Sequence, residues 1–193
     1  KLTAQIKQGA PYDLLISANM KYPLYLYQEK MALNPPKIYA LGSLVLWTMK
    51  NDLTMDNELN FLKEKKVNKI AIANPKNAPY GEQAIKAFEH FGLLEKVKPK
   101  LVYAESIAQT NQFILSRSAD VGFTALSVVR SDKMRDQGKY IVLDPGSYAP
   151  IEQGVVGIRQ QRSDPELTRR FSRFLFSEKS RRILRDFGYS VDE

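Results

Sequence analysis

Lys69-Ile-Ala-Ile-Ala-Asn-Pro-Lys-Asn-Ala-Pro-Tyr-Gly81 is the stretch that decides the fold class. Lys69–Ala73 reads as a short buried strand, closed by a turn rich in Asn and Pro. A helix over Gly81–Phe91 follows, with Ala84, Ile85, Phe88 and Phe91 along one face and Gly92 just past its end. The same alternation continues downstream. Leu101–Ala104 is a strand, Ser106 caps a helix running to about Ser116, Val121–Ala125 is a strand, and a short helix starts at Ser127. Short apolar runs alternating with helical periodicity predict an α/β protein.

Outward from this centre the pattern holds. Lys1–Gly9 reads as the end of a helix, Asp13–Ser17 as a buried strand and Tyr22–Lys30 as a helix. Lys37–Met49 is a long β-like stretch broken by Gly42, either two strands or one strand passing between lobes. Asn51–Lys66 reads as a polar connection with a helix in its second half. Tyr140–Leu143 and Ile151–Ile158 are further strands. Ser163-Asp-Pro-Glu166 has capping-box spacing, and Leu167, Phe171, Phe174 and Leu175 then form an apolar stripe. A last helix starts at Ser177 and ends near Gly188.

Composition narrows the chemistry. With no cysteine, thiolate metal sites, disulfides and a Cys nucleophile are excluded, and a single histidine, His90, argues against a His-built metal site or a catalytic triad. His90 falls on the polar side of its helix. No GxSxG, Walker A, GxGxxG, HExxH or EF-hand pattern occurs. Glu105 and Asp120 are the one pair of acids that could act as a dyad, and nothing in their spacing requires it. No apolar run is long enough to span a bilayer, and Lys1 opens directly on an amphipathic pattern, as expected if a signal peptide is either absent or already removed. The formal charge of +8 favours anionic partners. Between Arg159 and Asp186 nine Lys or Arg residues stand against four acids, which reads as a solvated helix surface. Arg170-Phe171 and Arg173-Phe174 could suggest nucleic acid, but helical spacing turns the Phe rings to a core and the Arg groups to solvent. Tyr22, Tyr25 and Tyr27 read as a core stripe.

Three strand-to-helix junctions can carry binding: Asn74–Gly81, Glu105–Ala108 and Thr124–Ser127. In open α/β sheets ligands bind at the carboxyl ends of strands. Helix starts there offer unpaired N–H groups and a favourable dipole, which suits an anion without any Lys or Arg.

Several segments together resemble one family. Gln5-Ile-Lys-Gln-Gly-Ala-Pro-Tyr-Asp13 with Leu15-Ile-Ser-Ala18 is similar to a stretch of the molybdate-binding proteins of ABC transporters. Tyr39–Trp47, Ala71–Pro75 with Ala78–Gly81, Gly122–Ser127, Tyr148–Gly154 and Phe187–Tyr189 follow in the family's order, so that the likeness covers essentially the whole chain. The resemblance implies a type II periplasmic-binding fold: two α/β lobes with a hinge and an interlobe cleft. The first lobe would comprise residues 1–41 and 148–193, the second residues 42–147. It also implies a further segment upstream of Lys1 with two strands, a helix and two hydroxyl-bearing loops that bind the anion. Ser17-Ala18-Asn19 departs from the family's Ser-Ala-Asp.

What the resemblance implies functionally is an extracytoplasmic solute-binding protein that captures molybdate or tungstate for ABC-transporter import. The oxyanion is the ligand, held by hydrogen bonds, with no cofactor, no protein-ligated metal and no catalysis. Tyr80 and Ile107 are the residues that match the family's anion-binding positions, Ile107 through its backbone amide. Ala125 falls where some members carry a binding tyrosine. The implied partner is a membrane permease, with no nucleic acid. The protein would act as a monomer in the periplasm, or as an extracytoplasmic lipoprotein. The alternatives are another small anion or organic solute, or the ligand-sensing module of a transcriptional regulator with the same fold.

Overall fold

The computed structural model describes residues 2–159 and 165–191. The chain divides into two compact units, residues 1–42 with 152–193 and residues 43–151, so the polypeptide passes between them twice.

The first unit opens with α1 (Leu2–Lys7), β1 (Leu14–Ser17), α2 (Lys21–Gln28) and β2 (Lys37–Gly42). The second contains β3 (Leu44–Thr48), β4 (Ile70–Ala73), α3 (Pro79–His90), α4 (Leu94–Val97), β5 (Leu101–Ala104), α5 (Ile107–Leu115), β6 (Val121–Ala125), α6 (Leu126–Val129) and β7 (Lys139–Val142). The chain then completes the first unit with β8 (Ile151–Gly157), α7 (Pro165–Leu175) and α8 (Glu178–Asp186). The long β-like stretch is two strands, with Gly42 the last residue of the first and the break at Ser43, and the two lie in different sheets.

In the first unit the strand order is β1-β8-β2, with β1 antiparallel to β8. Ile6, Leu15, Leu26, Ala32, Val156 and Ile158 form its core, with Tyr22 and Tyr25 packed against it. Tyr27 departs from the expected stripe and is exposed, because it follows Leu26 by about 100° around α2. The strand Asp13–Ser17 is buried on one side only: Leu15 is enclosed, Ile16 exposed. The stripe on α7 is also not core. Thr168 of that helix is buried, close enough to β8 that a Cβ on Gly157 would stand 3.4 Å from its methyl, and this rotation leaves Leu167, Phe171 and Phe174 exposed. Ser163 and Asp164 of the expected capping box lie outside the described residues.

In the second unit the order is β5-β4-β6-β3-β7. β4 is parallel to both β5 and β6, whereas β3 is antiparallel to β6 and β7. The continuous apolar runs of β3, β4 and β6 are wholly buried, as strands covered on both faces require. One side packs Trp47, Ala71, Ile114 and Leu126. Phe88 of α3 and Phe123 of β6 meet edge to face at 5.0 Å. The segment 51–66 differs from expectation: it contains only a single 3₁₀ turn, Asn60–Lys63, and its apolar residues are core rather than a polar connection. Leu53, Leu59, Phe61 and Leu62 are spaced too irregularly for one helical face. Leu59 takes a left-handed φ of 61°, and the Asp56 carboxylate accepts the amides of Asn60 and Phe61, the first two residues of the turn, so that nothing helical extends back beyond Asn60.

Candidate functional site

Parallel pairing of β4 with β5 and β6 puts the starts of α3, α5 and α6 at one edge of the second sheet, the carboxyl edge. Two glycines set how closely the helices approach it. A Cβ on Gly81 would sit 1.9 Å from the carbonyl oxygen of Ala73, the last residue of β4, so only glycine lets α3 begin there. A Cβ on Gly122 would sit 2.7 Å from the Ile114 side chain and 2.9 Å from the Ala71 oxygen, so the same holds for α5 over β6.

Tyr80 and Ile107 fall at this edge. They follow Ala73 and Ala104, which pair directly in the β4–β5 ladder. Tyr80 is the second residue of α3, is 5% exposed and is itself hydrogen-bonded or otherwise engaged in the fold. Pro79 occupies the first turn of α3, where its missing N–H breaks no helical bond.

Ile107 is the first residue of α5. Ser106 caps that helix through its hydroxyl, which accepts the Gln109 amide at 3.3 Å, and the Gln109 side chain accepts the Glu105 amide at 2.7 Å. This near-capping-box satisfies the amides on either side. The N–H groups of Ile107 and Ala108 have no acceptor among the described residues. A helix of nine residues thus presents two open donors and the positive end of its dipole at the carboxyl edge.

Sequence reasoning missed the bonds that three side chains make around this edge. Thr124, fully buried in β6, donates its hydroxyl to the Asn111 side chain of α5 at 2.6 Å and so pins α5 laterally. Gln83 on the buried face of α3 and Tyr148 before β8 make long-range bonds to backbone amides, which leave no local signature. A polar residue interrupting the apolar face of α3 was the available signal for Gln83.

The other candidates separate. Glu105 follows β5 at the carboxyl edge. Asp120 precedes β6 at the opposite edge, where it accepts the Asn68 and Lys69 amides and pairs with Lys50 at 2.6 Å. The two acids form no dyad. His90 is exposed against Phe91. Among the described residues no group of three His, Cys, Asp or Glu side chains could hold a metal ion. A cavity of about 620 Å³ lies in the first unit, lined by Leu33, Val156 and Phe176 together with Lys37, Arg169 and Arg173; it includes neither Tyr80 nor Ile107.

Residues 1–190 match the family described as bacterial extracellular solute-binding protein. The chain belongs to that family. Within these solute-binding proteins, it is 33% identical over 189 residues to the molybdate-binding protein ModA of Azotobacter vinelandii, covering 97% of this chain and 74% of that protein. The ModA of Rhodobacter capsulatus is equally similar, at 33% over 97% of this chain and 73% of its own length. The solved Azotobacter vinelandii periplasmic molybdate-binding protein superposes with a TM-score of 0.90 at 32% identity, over 100% of this chain and 84% of that one. The mixed α/β architecture is therefore that of a periplasmic binding protein.

Proposed function

We propose that this solute-binding protein captures molybdate or tungstate outside the cytoplasm and delivers it to the membrane permease of an ABC importer. The carrying observation is the open pair of amides at the start of α5, beside Tyr80, in a chain whose relatives are named for molybdate binding. A tetrahedral dianion needs several convergent donors and gains from a helix dipole. The amides of Ile107 and Ala108 supply two, and the start of α3 with Tyr80 contributes beside them. Held by neutral donors, the anion leaves without a large desolvated ion pair to break, which suits a carrier rather than a sink. Membership of a solute-binding family supports a role in binding rather than catalysis.

The experiment has two parts. Molybdate or tungstate at about a hundredfold over Kd should stabilise the protein by about 2.7 kcal/mol, and an equal concentration of sulfate by much less. Ile107→Pro then removes one amide without breaking the helix, because proline is favoured at a first helical position and Ser106 is already extended (φ −154°, ψ 165°). We expect Ile107→Pro to weaken molybdate binding about tenfold while Ile107→Ala, which keeps the amide, binds nearly as wild type. Equal affinities for the two variants would remove the α5 start from the site.

A further inference from the structure

Gln83 is on the wrong face of its helix by hydrophobicity alone. It is 6% exposed and lies among Tyr80, Ala84 and Ala87 on the side of α3 that faces the interior. A primary amide enclosed without a partner costs about 1–3 kcal/mol, so its retention needs a bond. That bond is specific and long-range: the Gln83 Oε1 accepts the backbone N–H of Ala149 at 3.0 Å. The hydroxyl of the adjacent Tyr148 accepts the Leu44 N–H at 3.1 Å. Leu44 is held a second time, its carbonyl accepting the Leu143 amide at 3.0 Å.

These partners are not scattered. The chain enters the second unit between residues 42 and 43 and leaves it between 151 and 152. Leu44 and Ala149 each lie within two residues of those passages. Gln83 and Tyr80 are three apart on one helical face, so they move together. Gly81, between them, presses α3 onto the end of β4. One rigid path therefore runs from Tyr80 through Gln83 to Ala149, and through Tyr148 to Leu44.

We propose that Gln83 is a positioning residue for oxyanion binding, tying the α3 start that carries Tyr80 to both passages of the chain through Ala149 and Tyr148. The inference rests on the oxyanion reading above. Gln83 itself does not have to touch the anion; its acceptor fixes where the Tyr80 end of α3 stands relative to the returning chain, and occupancy at Tyr80 is felt at Ala149 and Leu44.

The test uses the whole chain, with molybdate as the probe, in a cycle of Gln83→Leu, Tyr148→Phe and the double variant. Calorimetry should show each single variant binding molybdate about tenfold more weakly, and the double variant losing clearly less than the product of the two, since both cut one path. Amide hydrogen exchange on the wild type should show molybdate slowing exchange at Ala149 and Leu44. Variants that lower the melting temperature but bind molybdate within twofold of wild type would reduce both bonds to ordinary structural ones and overturn the proposal. Should Gln83→Leu not fold, Tyr148→Phe and the wild-type exchange decide: no molybdate-dependent change at either amide overturns it. A wild type that gains no stability from molybdate or tungstate overturns the oxyanion reading itself, an outcome read without any variant.

Discussion

Replacing Gly81 by alanine sets two magnitudes against each other. Helix propensity alone favours the change by about 1 kcal/mol, since glycine is the poorer residue within a helix. The added methyl, however, would stand 1.9 Å from the Ala73 carbonyl oxygen and 2.6 Å from its carbon, both backbone atoms of a strand buried on all sides. To reach the 3.0 Å below which such contacts are essentially absent, the start of α3 has to withdraw by at least about 1.1 Å. Overpacking of a well-filled interior costs about 1–3 kcal/mol, and here no flexible side chain can yield in its place. With only backbone atoms to yield, the cost falls in the upper part of that range, about 2–3 kcal/mol, and the net expectation is a loss of about 1–2 kcal/mol, read as a lower urea midpoint at unchanged slope or a fall of about 2–8 °C in Tm. Displacing the Tyr80 end should also weaken molybdate binding severalfold. Gly146→Ala is the control, because its Cβ would meet nothing closer than 3.6 Å. Gly81→Ala proteins as stable as wild type, with the same molybdate affinity, would refute the reasoning that close approach to β4 sets the site.

Two further predictions concern pH. Burial pushes the Asp120 carboxyl up, but the Lys50 ammonium and the amides of Asn68 and Lys69 outweigh it and hold the group below its ordinary value. A depressed folded pKa gives stability that is complete above about pH 4 and lost as pH falls through the folded value. Asp120→Asn should therefore lower stability near neutrality by about 2 kcal/mol and flatten the acid limb of a urea-midpoint profile; an unchanged acid slope would contradict it. Tyr39 is pushed up to about 12 by burial, with Tyr189 beside it adding to the shift. Raised above its unfolded value of about 10, it contributes stability that is intact below pH 10 and lost between there and 12. Tyr39→Phe should make the protein less sensitive to alkali in that window, and parallel profiles for the two proteins would sink the assignment.

The sequence carried the carboxyl-edge architecture well because its signals are local. Lys69–Ala73 could be recognised from a short buried run, and Ser106 and Ser177 from their placement ahead of helical periodicity; both hydroxyls do accept an amide three residues on. Gly42 marked the change from one sheet to the other. What remained hidden is non-local. The Gln83–Ala149 bond spans 66 residues and the Tyr148–Leu44 bond 104, so no window of sequence contains both partners. Thr124 looked like one more strand residue until α5 lay across it. The stripe on α7 has the right period, yet period fixes which residues share a face and not which way that face turns; here Thr168 and not the stripe is buried. In 51–66, the left-handed Leu59 defeated a helix that composition suggested.

The pairing of Tyr148 with Leu44, and of Leu143 with Leu44, has a consequence for protein engineering. The second unit is a continuous insertion in which Leu44, near its start, is joined to Leu143 and Tyr148, near its end, and it carries its own apolar interior. Neighbouring ends and a private core are what a host loop requires of a guest domain. Grafting residues 43–151 into a fluorescent or enzymatic host would place that host's signal at the two passages of the chain.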